Sequence, residues 1–232
     1  MSEMITISTL DGNDKFQAYC AMPADAPKAA IIVIQEIFGV NKGIRQKCHK
    51  WASLGYLALA PDLFWRSQPG VDLDPDVPEQ LQQGFGLMQR FSADVGVKDI
   101  EATIHAARAM TNGGKVGAVG YCLGGRLAYM VACRTDISAS VGYYGVMIDK
   151  MLDEASAIAH PLMLHIPTAD HYVDPAAQAA IHTGLDPHPK VTLHDYVGLD
   201  HGFATEMGLR RNEEAAQLAD DRTEDFFARH LA

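Results

Sequence analysis

Lys115-Val116-Gly117-Ala118-Val119-Gly120-Tyr121-Cys122-Leu123-Gly124-Gly125 is the stretch on which the reading of this chain turns. An apolar run enters Gly-X-Cys-X-Gly, and a helix-compatible segment, Arg126 to Cys133, leaves it. Strand, sharp turn and helix in that order form the context of a nucleophile elbow, with Cys122 where serine more often stands. A nucleophile in a strained turn leaves no room for bulky neighbours, which Gly120 and Gly124 satisfy. Gly125 would let the new helix pack close to the sheet. The competing reading is a buried structural cysteine at a strand end, since free cysteine is among the most buried residue types.

Working outward from the elbow, the chain alternates between strand and helix signals. Upstream, Ile5–Ser8 and Phe16–Ala21 flank the turn signal Asp11-Gly12-Asn13-Asp14 and predict an antiparallel hairpin at a sheet edge. Ala29–Ile34 is a continuous apolar run, as in a strand buried on both faces, and Tyr56–Ala60 is another. Helices are predicted over Lys42–Ser53, Glu79–Phe91 and Val97–Met110, with an irregular excursion from Phe64 to Pro78. Downstream, strands are predicted over Ser138–Gly145, Pro161–Ile166 and Val191–Tyr196. A short helix is expected over Asp149–Ala159. Asp174-Pro175 opens another with aspartate as cap and proline at its first position. Asn212 to Leu231 closes the chain as an amphipathic helix. The alternation predicts a single α/β domain over 1–232, with a mostly parallel sheet and helices on both faces.

A thiol nucleophile needs a base, and the base needs an orienting carboxylate. In the α/β-hydrolase arrangement the chain order is nucleophile, acid, histidine. Asp170 follows the strand ending near Ile166, and His201 lies in the loop after the last strand, so both should reach the sheet edge beside Cys122. Each has a plainer reading. Asp170 reads equally as a turn cap, Asp174 is a rival acid already explained as a helix cap, and His171 is a rival base. Backbone donors for an oxyanion should come from Leu123, the residue after the nucleophile, and from Ile37 in the turn after the early buried strand.

A formal net charge of −10 with no basic stripe argues against nucleic-acid partners. No run is long enough to cross a bilayer, and the N-terminus lacks the pattern of a signal peptide, so a cytoplasmic location is the default expectation. Cys20, Cys48, Cys122 and Cys133 show no C-x-x-C pair and read as free thiols, three of them small core hydrophobes. No zinc-binding, phosphate-loop or dinucleotide motif is present, and neither metal nor cofactor is expected. The implied partner is a small-molecule ester or lactone, the chain being a monomer or weak homo-oligomer.

Several separate motifs in order resemble the dienelactone hydrolases (carboxymethylenebutenolidases), a cysteine-nucleophile branch of the α/β-hydrolase fold. They are Gln35–Asn41, Ala60-Pro61-Asp62-Leu63, Gly120–Gly125, Gly142-Tyr143-Tyr144-Gly145 and His201-Gly202-Phe203. The resemblance, which runs from about Ala29 to Phe203, implies Cys122, Asp170 and His201 as a triad. It adds Glu36 as a carboxyl that interacts with the resting thiol and helps form the thiolate, and it places Tyr144 near the substrate. The reaction it implies opens an unsaturated lactone through a thioester acyl-enzyme. One departure stands out. The arginines that hold the substrate carboxylate in the family would fall near Leu81 and Thr205, where this chain has none, leaving Arg126, Arg66 or Arg210 as substitutes. A broader carboxylesterase or thioesterase is therefore the alternative, with a non-catalytic ligand-binding or redox-sensing member as the third.

Overall fold

The computed structural model describes residues 1–232 and contains one eight-stranded sheet. Its strands are β1 (Ser2–Ser8), β2 (Lys15–Ala21), β3 (Ala30–Ile34), β4 (Leu57–Pro61), β5 (Val116–Tyr121), β6 (Ala139–Tyr143), β7 (Leu162–Pro167) and β8 (Val191–Tyr196). They lie in the order β1-β2-β4-β3-β5-β6-β7-β8. The β1–β2 hairpin and the β2–β4 pairing are antiparallel; every other pairing is parallel. Strands β3 to β7 are buried at every residue, the condition of a parallel sheet covered on both faces. Edge strand β8 is mostly half-exposed and alternates polar with apolar residues.

Five α-helices lie between the strands, α1 (Lys42–Ser53), α2 (Pro78–Arg90), α3 (Ala93–Met110), α4 (Leu123–Arg134) and α5 (Pro175–Leu185), and α6 (Glu213–His230) follows the last strand. Their starts follow capping chemistry. Asn41, Ser92, Asp174 and Asn212 each accept a hydrogen bond from the backbone three residues on. Ser92 also explains why α3 begins a turn earlier than its apolar pattern suggests, because the cap outweighs the weak periodicity of Asp94 and Gly96. The helix expected over Asp149–Ala159 is instead two 3-10 turns, Ile148–Lys150 and Leu152–Ala157. Met147, left-handed at φ 61°, sets the entry to the first, and Met151 breaks the run between them.

The parallel strands β3, β5, β7 and β8 all end at the same sheet edge. In such folds that edge carries the ligand, since the loops after the strands converge there.

Candidate active site

Cys122 stands between β5 and α4 with φ 57° and ψ −115°, a left-handed conformation uncommon for a side-chain-bearing residue. Strain of this kind costs about 1–3 kcal/mol and persists only where surroundings enforce it. Here they do so by close approach. A Cβ at Gly120 would lie 1.9 Å from the Gly124 carbonyl oxygen, and one at Gly124 would lie 2.4 Å from that of Ile34. One at Gly125 would sit 2.5 Å from the Tyr143 carbonyl oxygen, so α4 presses against β6. The Cys122 N–H donates to the Tyr143 carbonyl (3.0 Å), tying the turn to the neighbouring strand. All four cysteines are buried, and burial pushes up the thiols of Cys20, Cys48 and Cys133.

His201 follows β8 and Asp170 follows β7; their loops are joined by the bonds Ala169 N–H to Leu199 carbonyl and Gly198 N–H to Thr168 Oγ1, both 2.9 Å. Asp170 divides its oxygens between two jobs. One accepts from the Tyr172 N–H (2.8 Å), the turn-capping use, and the other is 2.9 Å from His201 Nδ1. Both side chains are almost wholly buried. The other imidazole nitrogen, Nε2, is buried without a hydrogen-bond partner, and Cys122 is close enough to act on the ring. Burial pulls the imidazole down, but Cys122 and Asp170 outweigh it and hold the ring's pKa up at about 10. His171, the rival base, is exposed and pairs with Asp200 (Nδ1–Oδ1 2.7 Å).

The loop after β3 completes the group. Gln35 pins it by accepting from the Leu63 N–H (3.0 Å), and Asn41 by donating to the Leu73 carbonyl (3.0 Å). Glu36 is buried, and burial pushes its carboxyl above the ordinary range against the opposing charges of His201, Lys47 and Arg210. Neither backbone nor side chain accepts from the Ile37 N–H, and Leu123, as first residue of α4, has no acceptor one turn back. Tyr144 lies behind the site rather than in the opening. It is 1% exposed, its ring stands edge-on to His201 (5.0 Å between centroids), and its hydroxyl, near Glu36, has no partner of normal geometry.

A cavity of about 170 Å³ opens over Cys122, Glu36 and His201. Leu81 and Thr205 both line it, so the two positions where arginines were expected do face the opening, without a charge. Of the three substitutes, Arg66 is engaged with Asp99 and stacked on Trp65, and Arg126 reaches toward Met147. Arg210 alone lines the cavity, and it makes no ion pair or hydrogen bond with the protein. A second, wider groove of about 420 Å³ lies between the hairpin and the 62–72 excursion, with neither cysteine nor histidine on its walls.

Comparison with known proteins agrees with this geometry. Residues 16–231 match the family model described as "Dienelactone hydrolase family". The chain belongs to the dienelactone hydrolase family. Carboxymethylenebutenolidase of Pseudomonas putida is 39% identical over 229 residues, covering 98% of this chain and 97% of that protein. Carboxymethylenebutenolidase 1 of Cupriavidus pinatubonensis is 34% identical with the same coverage. Dienelactone hydrolase from Anabaena variabilis superposes with a TM-score of 0.73 at 16% identity, covering 100% of this chain and 99% of that one, a likeness of fold. Membership makes this dienelactone hydrolase-family chain a hydrolase of α/β-hydrolase fold.

Two neighbours of the site leave almost no signal in the sequence. Asp200 accepts from the His201 N–H (2.7 Å) and the His171 N–H (3.0 Å); against burial, the His171 imidazole and then these backbone bonds hold its pKa at about 2. Asp200 offers its carboxylate near those of Asp170 and the His171 imidazole, a set able to meet a cation, but one Asp170 oxygen is already committed to His201. Lys47 is buried, donating to the Ala204 carbonyl and pairing with Glu206, both at 3.0 Å. Its one trace in the sequence is a lysine between Ile44 and Trp51 on the apolar face of α1.

Proposed function

We propose that this protein hydrolyses small lactones or activated esters with Cys122 as nucleophile. The observation that carries the reading is His201, buried, held by Asp170 on one nitrogen and facing the strained Cys122 turn with the other. His201, its pKa held up at about 10, is the cation that pairs with the Cys122 thiolate at the moment of attack, the thiolate being the nucleophilic form of cysteine. Thiolate attack on the carbonyl forms a tetrahedral oxyanion, accepted by the N–H groups of Leu123 and Ile37. Collapse breaks the C–O bond, leaves a thioester on Cys122, and His201 gives its proton to the departing enolate or alkoxide. His201, now neutral, takes a proton from water as that water attacks the thioester, and the acid leaves. Glu36, buried beside the site with its carboxyl raised, takes the role of exchanging a proton with the thiol in the resting state.

Cys122→Ala and Cys122→Ser should each lose roughly 10³-fold or more in turnover of a lactone or a p-nitrophenyl ester. Full activity in both variants would sink the reading.

The unpaired Arg210 favours a substrate that carries an anionic group. Arg210→Ala should lower kcat/KM for a carboxylated lactone by about tenfold while changing a neutral ester much less. Equal losses on both substrates would assign Arg210 to packing.

A further inference from the structure

One wall of the cavity is a helix face, and its chemistry is unlike that of Cys122, Glu36 and His201. Leu81, Phe85 and Met88 recur on α2 at helical spacing, all lining the cavity and all only partly buried. The other side of the same helix is Gln82, Gln83, Gln89 and Arg90, exposed to solvent. Gly84, within the apolar stripe, lets this face approach the loop after β3 closely, since a Cβ there would lie 2.9 Å from the Ile37 carbonyl oxygen. Phe85 reaches Tyr172 across the opening (6.0 Å between centroids), and Met147 and Met207 continue the surface from two further segments. Met147 is 46% exposed and Tyr172 40%, so much of this apolar surface remains in contact with water.

We infer that the α2 face binds an apolar body of the substrate, an alkyl or aryl group several carbons long, beside the carbonyl that Cys122 attacks. Partly exposed apolar side chains gathered from α2, the 3-10 entry and the loop after His201 are accounted for by a ligand that removes them from water. Methionine at three of the positions suits such a pocket, because an unbranched, polarizable side chain adapts to substituents of different shape. Apart from Asp76, which precedes α2 and accepts from the Leu209 N–H (3.2 Å), the polar groups of the cavity sit elsewhere. Glu36 is beside the nucleophile, and the Arg210 stem packs over Gly202 next to His201, its Cδ 3.3 Å from where a Gly202 Cβ would be. A substrate would thus lie with its reacting carbonyl at Cys122, its polar end toward Arg210 and its apolar body along α2.

This inference rests on the hydrolase reading, and its test separates the two. In p-nitrophenyl acetate, butyrate and hexanoate, and in a matching series of alkyl esters of one acid, kcat/KM is measured for the wild type and for Cys122→Ala. Cys122-dependent hydrolysis that rises roughly two- to fourfold per methylene, mainly through KM, in either series is the expected result. Leu81→Arg and, as a milder change, Met88→Ala should both shrink the ratio of hexanoate to acetate. Cys122-dependent hydrolysis that is flat or falling along both series overturns the apolar site and leaves the hydrolase reading standing. A rising series whose ratio is untouched by both variants also overturns it, by moving the apolar contact off α2. Absence of Cys122-dependent hydrolysis for every ester takes both readings down.

Discussion

At the residue scale, the energetics of the site depend on three side chains with almost no access to water. Cys122 first and then Asp170, whose carboxylate makes the only hydrogen bond to the His201 ring, favour the imidazolium against burial. Deprotonating a ring with a raised pKa removes the proton that the leaving group needs, so the rate should fall on the alkaline side as pH rises toward 10, not near 6.5. Asp170→Asn removes the favourable charge, and the sign follows directly: the imidazolium becomes less stable and the alkaline limb moves to lower pH. Turnover should also drop by about 10²–10⁴-fold, because the ring loses its orienting partner. A pH–rate profile of the two proteins checks both effects, and an unmoved alkaline limb would remove Asp170 from the assignment. These partners were legible from chain order and strand ends alone. What spacing could not show was that Asp170 serves the turn and the histidine together, one oxygen for each.

At the level of elements, α2 is as much a part of the site as the elbow, although nothing about its sequence announces that. Its apolar stripe reads equally well as a core face, and only packing decides that Leu81, Phe85 and Met88 look into an opening. Gly84 makes the contact tight. In an exposed helix, alanine would be favoured over glycine by about 1 kcal/mol. Here the added methyl meets the Ile37 carbonyl oxygen and must push either α2 or the loop after β3 aside, at a cost of about 1–3 kcal/mol. Gly84→Ala should therefore lower the melting temperature and reduce kcat several-fold, since the displaced segment carries the Ile37 N–H. A higher melting temperature with unchanged kcat would show that the helix relaxes without touching the loop. The 3-10 turns over 148–157 make the same point in reverse. Composition permits a helix there, but left-handed Met147 and the break at Met151 set a different path.

Across the whole molecule, a buried polar layer ties the loop after His201 to α1, α6 and the strands between. Lys47 on α1 holds the chain leaving His201 through Ala204 and Glu206 and lies 3.7 Å from Asp220 on α6. Burial alone would raise the Asp220 carboxyl, but Lys47 and Lys50 more than reverse it. Tyr143 donates to Asp220 (3.0 Å), and His165, pushed well below its ordinary pKa by burial, bridges Tyr196 (2.8 Å) and Thr223 (2.9 Å). Groups this deep cost several kcal/mol to desolvate unless each is paired, and these are. No helix is long and apolar enough to cross a membrane.

The sequence by itself determined the alternation of strand and helix, the elbow at Cys122, and which acid and histidine would arrive beside it. Those features follow from local rules: apolar runs, glycine where a Cβ has no room, and loops at the ends of parallel strands. Tertiary structure decided which arginine reaches the cavity, that Leu81 and Thr205 face it uncharged, and that Lys47 belongs to its scaffold. The physical reason is that a side chain's charge and exposure depend on neighbours far away in the chain. Arg66 and Arg210 are the same residue type, yet Asp99 engages one while the other is left open to a ligand.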